Sequence, residues 1–429
     1  MAPVHSQEPL SAYHAMKEQE LIPHLFRSEF RKITAVLSKI FGIAHLEIAE
    51  DIASETFLLA AESWPFKGIP ENPVGWLYKV AKNKARNYLT RQQLFTDKVA
   101  IQIGNSVNEV NEELETEWSD QHINDSQLQM LFAICHPAIS AEAQIGLALR
   151  ILCGFGIDEI ANAFLTAKET INKRLFRAKE KLRTEKVKIE FPAGAEINRR
   201  LTTVLTTLYL LFNEGYYSES QDAILREDFC LEAMRLTYML IANEQTNLPA
   251  VNALLALMCF HSSRFEARKD SNGAIILYQD QNEELWNDEL ISKGVYFLNQ
   301  ASRGNEITKY HLEAGIAYWQ TIKTETQEKW ENVLHFYNQL LIIEYSPAAA
   351  LNRAYVISKV NGNEAGITAT EKLNLTDNHY YYMLLGELYK DINIQRAKDN
   401  FNKAFSLAKT ETEKKIIQIQ SSRLELDIE

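Results

Sequence analysis

Cysteine, glycine, proline, strand-like alternation and excess positive charge are all scarce in this sequence, and each shortage excludes something. The four cysteines (Cys135, Cys153, Cys230, Cys259) are widely spread with no CxxC pair. That spacing argues against a disulfide framework or a zinc site and suits reduced thiols in a cytosol. With 16 glycines and 10 prolines in 429 residues, helix breakers are rare and helical periodicity runs from end to end. Residues 274–278 are the clearest strand candidate. An all-α fold is expected. No apolar run approaches the roughly 20 residues of a membrane span, and no basic-then-apolar signal segment opens the chain. A cytoplasmic protein without membrane contact is therefore expected. No phosphate loop, nucleophile–base pair or metal-ligand spacing is visible, so a non-enzyme without metal or cofactor is expected. Finally, 45 Lys and Arg against 57 Asp and Glu give a net charge of −12. Nucleic-acid binding must then rest on local basic patches.

Two such patches are present. Residues 72–93, NPVGWLYKVAKNKARNYLTRQQ, carry five Lys and Arg and no acid. Trp76, Leu77, Val80, Ala81, Ala85, Tyr88 and Leu89 fall on one helical stripe. The opposite stripe is Lys79, Lys82, Asn83, Arg86, Asn87 and Thr90. A solvated helix face normally mixes signs, because opposite charges four residues apart support it. Cations with amides instead suit phosphates and base edges. The second patch closes residues 154–183. A short helix over 157–164 is followed by a turn and by Thr166–Ala–Lys–Glu169, which reads as a capping box opening a second helix. That helix has an inner stripe of Ile171, Leu175, Ala178 and Leu182 and an outer one of Thr170, Lys173, Arg174, Arg177 and Lys181. Two helices, a tight turn and a basic outward face describe a helix-turn-helix. Between the patches, residues 103–125 are acidic and rich in Asn and Ser, as a flexible linker would be.

At these residues the sequence resembles bacterial RNA polymerase sigma factors of the extracytoplasmic-function group. GWLYKVAKNKARNYLTR is similar to their region 2.4, residues 154–183 to region 4.2, and AEDIASETFLLAAESW (49–64) to region 2.2, with Ser54 in place of the usual Gln. The resemblance implies core RNA polymerase and promoter DNA as partners. It implies −10 contacts from Lys79, Lys82, Asn83, Arg86 and Asn87, with Trp64 and Phe66 as stacking candidates for a flipped base. It implies −35 contacts from Thr170, Asn172, Lys173, Arg174, Phe176, Arg177 and Lys181. Asp51, Glu55, Leu58 and Glu62, at i, i+4, i+7 and i+11, would face the β′ clamp of the polymerase. The corresponding division is an N-terminal segment (1–19), region 2 (20–95), an acidic linker (96–126), region 4 (127–186), a helical extension (187–300) and helical repeats (301–429). A DNA-binding regulator fused to a tetratricopeptide-type adaptor is the rival reading; it has no need of the clamp stripe.

The C-terminal half carries LNRAYVISKVNGNEAG and LLGELYKDINIQRAKD, which begin 33 residues apart. Each reads as helix, turn, helix, a period typical of tetratricopeptide-like hairpins. The whole extension resembles the sigma subgroup with such repeats, which implies a regulatory role through a protein partner or an intramolecular contact. Arg264, Arg268, Asp270, Asp280 and Asp288, with His261 and Trp286, form a dense charge group in which an ion-pair network is expected, with a small-ligand site as the alternative.

Overall fold

The computed structural model describes residues 18–96, 118–164, 166–216, 226–269 and 276–426, and among them the chain is helical throughout, with no strand. It forms two compact units, residues 1–210 and 211–429. The strand candidate at 274–278 is a correction: residues 276 and 277 are irregular and a single 3-10 turn follows at Tyr278–Asp280, while 270–275 lie outside the described residues. Asp270 lies there too.

Unit 1 opens with α1 (Glu18–Phe41), a 3-10 turn (Ile43–His45), α2 (Leu46–Lys67) and α3 (Pro73–Thr96). Their apolar stripes meet in one core: Leu21, Leu25, Phe30, Ile33 and Leu37 of α1, Ile52, Ala53, Phe57 and Ala60 of α2, and Leu77, Ala81 and Ala85 of α3. Each large side chain removed from water there contributes about 1.5–3 kcal/mol. Gly68, at φ 81°, ends α2 with its N–H on the Trp64 carbonyl at 2.9 Å, a left-handed stop that a Cβ would strain. Asn72 then accepts the Gly75 N–H at 2.8 Å and caps α3.

The second half of unit 1 comprises α4 (Asp120–Ile134), α5 (Ala141–Leu147) running into a π turn (Ala148–Leu152), α6 (Ile157–Ala163) and α7 (Lys168–Thr184). Two sequence expectations are corrected here. Residues 120–126, read as linker, are the first turns of α4: Ser119 caps it, and Ile123, Leu128 and Leu131 are buried. Residues 97–117 of that linker lie outside the described residues. The capping box is absent as well. The N-cap of α7 is Ala167, without a side-chain bond. Thr166 sits one residue too early for its hydroxyl to receive the first free N–H groups. α8 (Gly194–Tyr216) packs on these helices with its residues up to Leu210: Arg200 donates to the Phe132 carbonyl, and Thr207 donates to Gln144 Oε1 at 2.8 Å.

Unit 2 continues with α9 (Glu227–Ala242), α10 (Pro249–Ser262), α11 (Asp288–Ala301), α12 (Lys309–Trp319) and α13 (Gln327–Ile343). α10 is buried on every side, as its near-continuous apolar sequence requires. The chain then runs through α14 (Pro347–Asn361), α15 (Asn363–Glu371), α16 (His379–Tyr389), α17 (Ile394–Leu407) and α18 (Glu411–Leu426), each helix packed against the next. Small residues set the spacing of the two hairpins. A Cβ on Gly386 would stand 3.0 Å from the Phe401 ring.

Candidate nucleic-acid interface

α2 presents two different faces. Toward solvent it turns Asp51, Glu55, Leu58 and Glu62, all exposed; Leu58 is 58% exposed, an apolar centre in an acidic stripe. Glu55 is paired with Lys84 of α3 at 2.6 Å, which ties the stripe to its neighbour. Ser54, at the departure from the region 2.2 pattern, donates to the Glu50 carbonyl at 2.8 Å within its own helix and offers no outward amide.

On α3, Lys79, Asn83, Asn87 and Thr90 are exposed, while Lys82 and Arg86 are half-buried and engaged. The two aromatic candidates in front of α3 are not equivalent. Phe66 is 90% exposed, whereas Trp64 is 3% exposed and packs edge-on at 5.4 Å against Trp76. The Trp64 Nε1–H has no hydrogen-bond partner. With Lys67, Gly68, Ile69, Pro70 and Trp76, Trp64 borders a cavity of about 330 Å³.

On α7 the expected inner stripe of Ile171, Leu175, Ala178 and Leu182 is buried. Thr170, Asn172, Lys173, Phe176, Arg177 and Lys181 are exposed and Arg174 is half-buried. Lys181 pairs with Glu185 at 2.7 Å, and that hydrogen bond holds the Glu185 carboxyl below its usual range. Asn172 and Phe176 point elsewhere than the Lys173–Arg177 face. They line a cavity of about 310 Å³ together with Glu47, Glu50, Arg150, Ile157, Leu175 and Lys179.

Glu50 is the residue that sequence reasoning missed. Its side chain is 8% exposed, and it accepts from Arg150 Nε at 2.9 Å and from Lys179 Nζ at 2.5 Å. One carboxylate of α2 thus binds the π turn after α5 and the α7 helix together. A signal existed: Glu50 falls in register with the buried Leu46, Ala49, Ala53 and Phe57, where an acid is costly unless paired.

Of the ion-pair network expected at residues 261–288, Asp270 lies outside the described residues, and the described acids do not reach Arg264. Asp280 pairs with Arg423 at 2.7 Å and Asp288 is exposed at the start of α11, so neither neutralises Arg264. Among the described residues no cluster of His, Cys, Asp and Glu could hold a metal ion, and no helix is long and apolar enough to cross a membrane.

Residues 25–95, which span α1 through α3, match Sigma-70 region 2. Residues 200–302 match a family of unknown function (DUF6596). An uncharacterized protein of Rhizobium meliloti (strain 1021) is 32% identical over 384 residues, covering 89% of this chain and 90% of its own. No solved structure matches.

Proposed function

The chain belongs to one family with the Rhizobium meliloti protein, and from the Sigma-70 region 2 it carries we propose a sigma factor of the extracytoplasmic-function group that directs core RNA polymerase to a subset of promoters. The region 2 match supports a role in transcription initiation. One observation carries the finer reading: the matched helices expose two contrasting stripes side by side. The acidic stripe with Leu58 at its centre suits a protein partner, the β′ clamp, because charged rims select a partner and speed its docking. The cation-and-amide stripe of α3 suits the −10 element. Phe66, free of packing, is a stacking platform for an extruded base, and the cavity beside Trp64 is a place for one.

In this reading α6 and α7 form the helix-turn-helix for the −35 element, with Lys173 and Arg177 on phosphates and Thr170 near base edges at the helix start. Unit 2 is a fused regulatory extension whose α14–α17 hairpins are tetratricopeptide-like. It acts through a protein partner or by contact with unit 1, in the cytoplasm where polymerase works. The rival adaptor reading gains no support from an exposed acidic stripe on α2.

The test is run-off transcription with purified core polymerase on promoters mapped after controlled expression. Full-length protein should start transcripts at discrete sites. DNA binding without any core-dependent transcript would leave only the adaptor.

A further inference from the structure

The segment that matches the family of unknown function holds a buried guanidinium that no carboxylate pairs with among the described residues. Arg264, in the turn after α10, is 6% exposed. Its Nη2 reaches the Tyr216 hydroxyl at 3.4 Å and Gln320 Oε1 at 3.3 Å, and its Cζ lies 5.4 Å from the centroid of the Tyr278 ring. All three partners are neutral, and the buried Nε–H has no hydrogen-bond partner. The described carboxylates nearby are engaged with other cations: Glu325 with Lys329 at 2.9 Å, Glu227 with Lys269, and Asp228 with Arg226 at 2.9 Å.

The neighbours add to the positive potential. Arg268 lies 3.9 Å over the Tyr216 ring. His261, 4.6 Å from the same ring, is held neutral by burial and by the two arginines. Trp286 is 7% exposed, lies 6.3 Å from Tyr278, and has an indole N–H without a partner. The Asn287 N–H on the Ser263 carbonyl at 2.8 Å fixes it beside the Arg264 turn. A buried cation is expensive unless paired, and an apolar side chain of similar volume would fill the same space without that cost. The two donors left without an acceptor, the Arg264 Nε–H and the Trp286 indole N–H, are the complement of an oxyanion.

We propose that Arg264 anchors a binding site for a small oxyanion, a carboxylate or phosphate group, with the Trp286 indole N–H as a flanking donor and Tyr278 as the floor. The site would let unit 2 respond to a small molecule, and it does not depend on the sigma-factor reading of unit 1.

The experiment is thermal unfolding of the full-length protein in rising inorganic phosphate and, separately, acetate, with ionic strength held constant by sodium chloride. Ligand that binds only the folded state raises the melting temperature along a saturation curve. Wild type should show that curve with at least one anion, and the anion that saturates at lower concentration identifies the chemistry as phosphate or carboxylate. Arg264→Met should abolish the rise. Arg264→Lys keeps the charge without the planar fork and should need at least about tenfold more anion. A wild-type melt indifferent to both anions overturns the proposal. So does an undiminished rise in Arg264→Met, which would put the anion on a basic helix of unit 1. If Arg264→Met does not fold, an unchanged midpoint in Arg264→Lys overturns it equally.

Discussion

At the scale of single residues, burial decides which groups respond to pH. His261 is held well below its ordinary value of 6.5, first by burial and then by Arg264 and Arg268. Its pKa is thus lower folded than unfolded, so as pH falls below 6.5 the unfolded chain takes up a proton that the folded chain refuses. Stability from this site is present above 6.5 and is lost at up to about 1.4 kcal/mol per pH unit below it, until the folded pKa is reached. His311 and His379 are also held low by burial and act with the same sign. Denaturant midpoints at pH 7.5 and pH 5.5 should therefore differ, with the acid value lower. The difference should shrink in His261→Asn, and an unchanged difference would remove His261 from the account. Three of the cysteines respond to burial in their own way: it pushes the thiols of Cys135 and Cys259 up to about 12 and that of Cys230 up as well, where they are inert.

At the scale of elements, α7 has a buried stripe for folding and an exposed one to which the proposed reading assigns recognition. Ile171 is 1% exposed in its inner stripe, and Ile171→Ala should cost about 2–4 kcal/mol of stability. Arg177 is exposed. Arg177→Ala should leave melting within about 0.5 kcal/mol of wild type yet weaken promoter binding by about 1–3 kcal/mol. Fluorescence anisotropy with a cognate fragment at fixed salt checks the second value, and undiminished affinity would move the reading face elsewhere. The stripes of α3 and α7 were legible in the sequence because one-sided burial imposes a period on apolar residues. The starts of α4 and α7 were not. A tertiary anchor at Ile123 pulls acidic residues into a helix, and a one-residue shift at Thr166 defeats a correct-looking cap. Trp64 was ambiguous, since stacking and packing call for the same side chain. The Glu50 pairs were out of reach, because they join residues 100 and 129 positions apart.

At the scale of the whole molecule, α8 determines where the chain can be cut. Its residues up to Leu210 belong to unit 1, through Arg200 on the Phe132 carbonyl and Thr207 on Gln144. A truncation after residue 190 should therefore expose the apolar side of α4 and α5 and yield an aggregating protein, whereas one after residue 216 should stay soluble. Size-exclusion chromatography distinguishes the two. Only the longer piece can test regulation by unit 2, and its promoter-dependent transcription should differ from full length by more than a few-fold, since about 1.4 kcal/mol of coupling is already tenfold. The Glu50 clasp has a consequence of another kind, in the thermodynamics of small ions. Asn172 and Phe176 share their cavity with Glu47 and Glu50, so on the proposed −35 reading DNA brought to that face takes Lys179 from a carboxylate and gives it a phosphate. Binding then becomes an exchange of one internal counterion for another. Salt weakens the protein–DNA contact but also loosens the clasp that opposes it, and the two effects partly cancel. The plot of log affinity against log salt should consequently be shallower for wild type than for Glu50→Gln, by up to about one unit of slope. A protein that carries its own counterion would hold its promoters more evenly as the ionic strength of the cell varies.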